Sequence, residues 1–354
     1  MTDQPRRTPD ATALRAIGWT AELAQALPPG TPGWPARVVE QHRAHYVVDD
    51  GAGVFKTPLL PALFERFERD GDALVVGDWV RVIDEGGSRY IAECLPRRNL
   101  LRRSRGEHAV QRVVANVDTA VLVMALDGDY SPNRMERYLL LARAAGVPPV
   151  IVLTKPDRCE DAAARQAEIA ALAGDAPVYL LDPRLADTVD YFAPYLGEAQ
   201  TLVLLGSSGV GKSTLMNTLL GTTTQRTDHT RAYDDRGRHT TTARTLRRVP
   251  GGACLIDTPG IRELRLDGDE DVDADAFEDV RALAEQCRFR DCGHGDEPGC
   301  AVVAGLAPGR LANYQKLRAE LAQQRQSKRE AKAPPSRRRR DAKHGRRGYD
   351  DNEH

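Results

Sequence analysis

Residues 206–213 constrain the fold of this chain more than any other stretch. They spell GSSGVGKS, follow the apolar run Thr201–Leu205 and precede residues 214–220, whose apolar side chains have helical spacing. A strand, a glycine-rich loop and a helix in this order are the context of a P-loop, where backbone amides and the positive end of a helix surround a polyphosphate. A glycine-rich turn that merely contains Lys-Ser is the alternative. The sequence predicts a nucleoside triphosphate site formed by Gly206, Ser207, Ser208, Gly209, Val210, Gly211, Lys212, Ser213 and Thr214.

Within this site, specific side chains are expected to contact the phosphates and Mg²⁺. Lys212 would reach the β- and γ-phosphates, and the Ser213 hydroxyl would ligate Mg²⁺. The tetrapeptide DTPG follows the apolar run 253–256. At this point P-loop enzymes place an acidic residue that holds Mg²⁺ through water, here Asp257, and the Gly260 amide is placed for the γ-phosphate.

The segment between these two motifs contains GRHTTT at residues 237–242. A threonine here suits a mobile switch that closes on Mg²⁺ and the γ-phosphate. We favour Thr241 as this ligand over Thr240, and both over Thr242. A solvated threonine-rich loop is the alternative.

The residue after the DTPG motif is Ile261, where Ras-like enzymes carry a glutamine that orients the attacking water. An isoleucine side chain has no polar atom for this task. We therefore expect slow intrinsic hydrolysis and activation by a partner, with His239 as a candidate for the water-orienting group.

The tetrapeptide TKPD, formed by Thr154, Lys155, Pro156 and Asp157, follows the apolar run 149–153. It fits the guanine-recognition motif usually written NKxD. The Asp157 carboxylate would accept hydrogen bonds from guanine N1–H and N2–H₂, whereas adenine would leave it unpaired. TKPD stands before the P-loop, although ordinary GTPases have it after DTPG. A circular permutation preserves the site, because the pocket needs only the carboxyl ends of several parallel strands.

Residues 36–98 contain about five short runs of alternating polarity separated by Asp-Gly and Gly-Gly turn signals. This pattern favours a small antiparallel barrel, with an OB-fold as the first candidate and an SH3-like barrel or a small sandwich as alternatives. A basic cluster follows the last run, and it would suit either a nucleic-acid backbone or a solvated linker. The cluster comprises Arg97, Arg98, Arg102, Arg103 and Arg105.

Three cysteines and a histidine lie within fourteen residues near the C-terminus: Cys287, Cys292, His294 and Cys300. Three thiolates and one imidazole make a closed tetrahedral Zn²⁺ site with no position for water, which indicates one structural ion rather than a catalytic one. A disulfide with a spare thiol is the alternative, and it is disfavoured in the cytoplasm.

Composition and charge limit the class of protein. A chain of 354 residues can form several cores, and its net charge of −1 conceals a C-terminal block with eleven Lys or Arg against two acidic residues. No apolar run approaches the ~18 residues of a membrane span, and the N-terminus has no hydrophobic signal-like stretch. We expect a cytoplasmic protein, without a membrane partner and monomeric.

The order of these features resembles the ribosome small-subunit-dependent GTPase A family of bacteria. The features that carry the resemblance are a barrel, then TKPD, GSSGVGKST, GRHTTT, DTPG and CRFRDCGHGDEPGC, over about residues 36–321. The resemblance implies a multidomain chain with an OB-fold β-barrel, a circularly permuted α/β P-loop GTPase domain and a small α-helical zinc-binding domain. The expected bounds are a flexible leader at 1–35, the barrel at 36–100, the GTPase domain at 113–264, the zinc-binding domain at 265–325 and a disordered basic tail at 326–354.

The resemblance also implies binding of GTP and GDP with Mg²⁺ and a role in late maturation of the 30S ribosomal subunit, with contacts to 16S rRNA and hydrolysis stimulated by that particle. Two departures stand out. Thr154 replaces the more usual asparagine, and residues 180–184 (LLDPR) lack the Ser-Ala often found where the backbone contacts guanine O6. The basic tail could add salt-sensitive affinity for rRNA.

Two other function classes are compatible with the motifs. One is a nucleotide-driven RNA remodeller that uses ATP or GTP, which competition between guanine and adenine nucleotides would distinguish. The other is an RNA-binding scaffold that does not hydrolyse nucleotide, which phosphate release with and without 30S subunits would test.

Overall fold

A computed structural model of the chain describes residues 10–42, 45–104, 110–221, 244–258, 266, 270, 272, 277–295 and 297–332. The chain divides into two compact units: residues 1–102 with 112–264, and residues 103–111 with 265–354. The strands are β1 (Trp34–Gln41), β2 (Tyr46–Asp49), β3 (Val54–Thr57), β4 (Trp79–Glu85), β5 (Ser88–Cys94), β6 (Leu100–Ser104), β7 (Val110–Ala115), β8 (Thr119–Ala125), β9 (Pro149–Thr154), β10 (Val178–Leu180), β11 (Thr201–Leu205), β12 (Thr245–Arg248) and β13 (Cys254–Asp257). The helices are α1 (Ala11–Arg15), α2 (Ala21–Ala26), α3 (Pro61–Asp70), α4 (Pro132–Ala144), α5 (Ala162–Ala173), α6 (Thr188–Phe192), α7 (Lys212–Leu219), α8 (Glu278–Ala284), α9 (Ala301–Gly305) and α10 (Pro308–Lys332).

Residues 10–26 contain the short helices α1 and α2, so this part of the chain differs from the predicted flexible leader. Asp10 and Thr20 accept hydrogen bonds from backbone amides at the two helix N-termini. Leu14 and Ile17 are buried. Helices of five and six residues give only a weak helical pattern in the sequence, although capping and burial stabilise them here.

Strands β1 to β5 form an antiparallel barrel. β1 pairs with both β2 and β4, β2 pairs with β3, and β4 pairs with β5. The ring closes where the Leu60 amide donates to the Ile91 carbonyl at 2.8 Å and the Ile91 amide donates to Pro58 at 2.9 Å. Helix α3 packs Leu63 and Phe67 into the barrel core. This arrangement is the OB-fold that was predicted.

Five parallel strands form the other half of the same sheet, in the spatial order β10-β9-β8-β11-β13. Every residue of β8 and β11 is buried, as expected for strands covered on both faces. Antiparallel β12 joins this half to the barrel, because it pairs with both β13 and β1. Because these five strands are parallel, their carboxyl ends lie at the same edge of the sheet.

The predicted basic cluster after the barrel is partly structural. Leu100–Ser104 is strand β6, which pairs with β7. Arg97 is half-buried and donates from Nε to Asp78 at 2.7 Å and from Nη1 to Asp72 at 3.0 Å. Arg97 thus holds two carboxylates of the barrel.

In the second unit, α8 precedes the cysteine-rich segment, and α9 and α10 follow it. Val280, Val302, Tyr314 and Leu317 are buried here. Helix α10 extends to Lys332, beyond the predicted domain end at residue 325, and its last turns are rich in good helix formers such as Gln, Lys, Arg and Glu.

Candidate functional site

The predicted nucleotide-binding motifs follow neighbouring parallel strands. TKPD comes at the end of β9, the P-loop follows β11 and Asp257 ends β13. β8 lies between β9 and β11. The permuted chain order therefore still brings the motifs to one edge of the sheet, where α/β folds bind their ligands.

The P-loop backbone requires its glycines. Gly206 has φ +149°, and a Cβ at this position would lie 2.2 Å from the Val123 carbonyl oxygen. Gly209 and Gly211 also have positive φ, and Gly211 immediately precedes α7. The loop thereby directs backbone amides and a helix N-terminus to the same place, which is a favourable environment for phosphate groups.

Charged groups face each other across this loop. Lys212 Nζ donates to the carbonyls of Gly206 at 2.7 Å and Ser207 at 2.5 Å. Burial lowers the pKa of Lys212, and the carboxylates of Asp257 and Asp129 oppose that shift. Burial raises the pKa of Asp257, and Lys212 and Arg247 oppose it. The site holds both a cation and an anion in a partly desolvated setting, which strengthens their interactions with a charged ligand.

The side chain of Thr154 joins the guanine-recognition motif to the P-loop. Thr154 is fully buried, and its Oγ1 donates to the Val210 carbonyl at 2.7 Å. The methyl group of Thr154 lies 3.8 Å from the position that a Gly211 Cβ would occupy. TKPD and GSSGVGKS are therefore in direct contact.

Lys155 and Asp157 have different surroundings. Lys155 has φ +57°, and its Nζ lies 2.7 Å from Asp127 Oδ2, which lowers the pKa of Asp127. Pro156–Arg158 is a 3₁₀ turn. This turn leaves the Asp157 carboxylate exposed, so it is open to donors from a ligand.

The remaining predicted residues fall into two groups. Ser208, Gly209 and Ser213 are exposed, Ser207 and Thr214 are half-buried, and Val210 is buried in the core. His239, Thr241 and Gly260 lie outside the described residues, as do Thr240, Thr242 and Ile261.

The four predicted metal ligands of the second unit converge. One ligand atom from each of Cys287, Cys292, His294 and Cys300 lies within 4.8 Å of all the others. Cys287 Sγ is 3.9 Å from Cys300 Sγ, and His294 Nδ1 is 3.7 and 3.6 Å from these two sulfurs. Two thiolate sulfurs at corners of a zinc tetrahedron are about 3.7 Å apart. A disulfide needs sulfurs about 2 Å apart, and all six cysteines are free.

Glu297 organises the loop that carries His294. Its carboxylate accepts from the Gly293 amide at 2.9 Å and the Gly295 amide at 2.7 Å. His294 has φ +58°, so the chain turns sharply between these glycines. The His294 carbonyl also accepts from Gln315 Nε2 on α10 at 3.0 Å.

Comparison with known proteins identifies the family. The sequence model of the RsgA GTPase family matches residues 94–267. Small ribosomal subunit biogenesis GTPase RsgA of Xanthomonas axonopodis pv. citri (strain 306) is 46% identical over 335 residues, which cover 89% of this chain and 90% of that protein. The protein of the same name from Xylella fastidiosa (strain M23) is 46% identical over 328 residues, covering 87% and 96%. The chain belongs to the RsgA GTPase family.

Two solved structures resemble this member of the RsgA GTPase family. YjeQ from Thermotoga maritima has a TM-score of 0.59 at 26% identity, and the match covers 82% of this chain and 98% of that one. YloQ, described as a circularly permuted GTPase, has a TM-score of 0.56 at 25% identity, with 83% and 96% covered. The predicted fold class and the permuted order are confirmed.

Membership of the RsgA GTPase family makes the chain an enzyme that hydrolyses GTP, as the sequence predicted. Its nucleotide is therefore a guanine nucleotide. In the part of the chain that the structure describes, no helix has the length and apolarity needed to span a bilayer.

Asp127 and Asp129, which follow β8, were not predicted as site residues. Asp127 pairs with Lys155, and Asp129 contributes to the field around Lys212. Their position just after the apolar run of β8 could have indicated a role in the site, because polar residues at the carboxyl ends of parallel strands face the ligand crevice.

Proposed function

We propose that this member of the RsgA GTPase family binds GTP and GDP at the carboxyl edge of β8, β9, β11 and β13, and that it acts on the small ribosomal subunit. The observation that carries the proposal is the 2.7 Å hydrogen bond from Thr154 Oγ1 to the Val210 carbonyl. It fixes the predicted base-recognition motif against the predicted phosphate loop, so one nucleotide can contact both.

The residues of the site have complementary tasks. The amides of residues 206–214 would surround the phosphates, with Lys212 leaving its loop carbonyls to pair with the β- and γ-phosphates. Asp157 would accept from guanine N1–H and N2–H₂. Thr154 supports that motif, and Lys155 and Pro156 would lie along the base.

Magnesium fits the oxygen-rich donors near the phosphates. Ser213 and Thr241 would ligate it, and Asp257 would hold it through water. The ion would neutralise charge that develops on the phosphates. The Gly260 amide would contact the γ-phosphate, and His239 is our candidate for orienting water.

A structural zinc ion fits the Cys₃His set of the second unit. The separations of about 3.6–3.9 Å among Cys287, His294 and Cys300 match the edges of a zinc tetrahedron. Four protein ligands leave no open position, so the ion would stabilise the fold of this unit.

The relatives are named for small ribosomal subunit biogenesis. We infer from this that the present chain assists late maturation of the 30S subunit as a cytoplasmic monomer that contacts 16S rRNA. The particle would raise the rate of GTP hydrolysis, which suits a chain that carries Ile261 after its DTPG motif.

The test combines phosphate release with a base-specificity variant. GTP turnover should rise when 30S subunits are added. It should fall again as the salt concentration increases, because protein contacts to rRNA phosphates weaken with salt. Asp157→Asn should reduce GTP use and favour xanthosine triphosphate, whose O2 can accept from an amide. Asp187→Asn, a change in an exposed carboxylate on the same unit, is the control. Equal turnover with and without 30S subunits would contradict the partner, and an unchanged base preference would contradict the role of Asp157.

A further inference from the structure

Arg184 lies beside the base-recognition carboxylate, in the loop that follows β10. Its Nη2 is 3.8 Å from Asp157 Oδ2, and both side chains are more than half exposed. Asp182 holds the guanidinium, accepting from Nε at 2.8 Å and from Nη2 at 2.5 Å. A guanidinium has five donors in a planar fork. This pairing uses one side of the fork, so the edge formed by Nη1 and Nη2 can donate to another acceptor.

The loop that carries Arg184 is fixed to the nucleotide site. Thr218 on α7 donates from Oγ1 to the Pro183 carbonyl at 2.6 Å. Thr188 donates from Oγ1 to the Asp182 carbonyl at 3.0 Å, and the Pro183 ring lies 3.4 Å from where a Gly211 Cβ would be. Contacts with the P-loop and with α7 thus fix the loop that carries Arg184, and the Asp182 carboxylate fixes the orientation of its guanidinium.

The Watson–Crick edge of guanine carries two donors and then an acceptor, O6, on the carbon next to N1. If Asp157 accepts from N1–H and N2–H₂, O6 lies within a few ångström of the carboxylate oxygen that binds N1–H. A cation at that point is the expected complement. Arginine donating to O6 and N7 is the commonest specific contact to guanine in nucleic-acid recognition.

We propose that Arg184 is a second base-recognition residue that donates to guanine O6, so that Asp157 recognises the donors of the base and Arg184 its acceptor. The proposal rests on the proposed function, because it needs Asp157 to bind the base. It supplies an O6 contact in a chain whose residues 180–184 lack Ser-Ala. It also predicts discrimination against adenine, whose N6 amine would bring its own hydrogens against those of the guanidinium.

The experiment varies the base and the side chain together. Binding of GDP, IDP, 2-aminopurine riboside diphosphate and ADP to the full chain is measured by calorimetry. IDP lacks the N2 amine but keeps N1–H and O6, whereas 2-aminopurine keeps the amine and lacks both N1–H and O6. The variants are Arg184→Ala, Arg184→Lys and Asp157→Asn. Arg158→Ala, which removes an exposed arginine next to Asp157, controls for the loss of a positive charge.

We expect Arg184→Ala to weaken GDP and IDP by the same factor of about ten to a hundred. Binding of the 2-aminopurine nucleotide should not change, so the preference for GDP over it should fall by that factor and retain only the part that Asp157 gains from N1–H. Arg184→Lys keeps the charge but not the fork and should show most of this fall, while Arg158→Ala should not show it. Asp157→Asn should instead reduce the preference for GDP over IDP.

Other outcomes separate the failures. An equal loss for GDP and the 2-aminopurine nucleotide would mean that Arg184 acts on the phosphates or on folding. No loss for either would make it a surface ion pair of Asp182, and both results overturn the inference while leaving the proposed function intact. If the unaltered chain bound ADP as tightly as GDP, the proposed base site itself would fail.

Discussion

Burial of the Asp257 carboxyl affects the stability of the folded chain. Burial raises the pKa of the Asp257 carboxyl above its ordinary 3.8, although Lys212 and Arg247 favour its ionised form. A carboxyl with a raised pKa in the folded state costs stability once it is ionised. This cost is fully present above the folded-state pKa and is relieved as the pH falls through that pKa towards 3.8.

Replacing Asp257 with asparagine should therefore stabilise the chain without nucleotide at pH 7. The difference in unfolding midpoint between Asp257→Asn and the unaltered chain should shrink as the pH is lowered. Thermal unfolding across a pH series measures this, with Asp187→Asn as the control for removing one exposed negative charge. Added GTP and Mg²⁺ should reverse the order. A less stable Asp257→Asn at pH 7 would show that the attraction of Lys212 outweighs desolvation.

Residues that belong to a motif could be predicted from the sequence, whereas residues outside the motifs could not. TKPD and the P-loop were predictable because their chemistry requires fixed residue types at fixed spacing. Asp127, Asp182 and Arg184 belong to no motif, since their positions come from the way neighbouring strands end. The burial of Arg37 could not be predicted either, because the sequence does not distinguish a buried arginine from an exposed one.

The elements of the fold were predictable where burial imposes a pattern. β8 and β11 are buried throughout and apolar after their first residue, because both of their faces are covered. Helices α1 and α2 are too short to show a period, and the pairing of β12 with β1 joins segments more than 200 residues apart. Long-range pairing depends on the register of a whole sheet, which no local pattern contains.

The loop that carries His294 is an element whose shape depends on one carboxylate. Glu297→Gln removes the charge that accepts from the Gly293 and Gly295 amides. We expect the affinity for Zn²⁺, measured by competition with a chelator, to fall about tenfold, as for other changes outside the ligand set. Asp291→Asn is the matched control, because Asp291 is an exposed acidic residue next to Cys292. Equal losses in both variants would mean that charge, not loop geometry, sets the affinity.

Arg37 joins three parts of the first unit. It is 1% exposed. It donates from Nη1 to Ile17 in the N-terminal segment at 2.6 Å, from Nε to Gly77 in the barrel at 3.4 Å and from Nη2 to Asn116 before β8 at 3.1 Å. Burial lowers the pKa of Arg37. These carbonyls, together with the sheet that continues from β13 through β12 to β1, explain why barrel and GTPase domain form one compact unit.

Arg37→Met should consequently weaken the barrel and the GTPase domain together. Three buried carbonyls would lose a donor, so we expect the free energy of unfolding to fall by about 3 kcal/mol or more. The chain has three tryptophans, at positions 19, 34 and 79, so tryptophan fluorescence follows the N-terminal segment and the barrel during unfolding in urea. Hydrogen exchange of the peptide that contains Asn116 follows the junction with the GTPase domain.

Arg81→Met is the control, because it removes a barrel arginine paired with Glu93. It should lower the free energy of unfolding by less than about 1 kcal/mol and leave the peptide that contains Asn116 protected. Faster exchange in the barrel alone would show that Arg37 stabilises only its own strand and that the two domains are held together by the β1–β12 pairing.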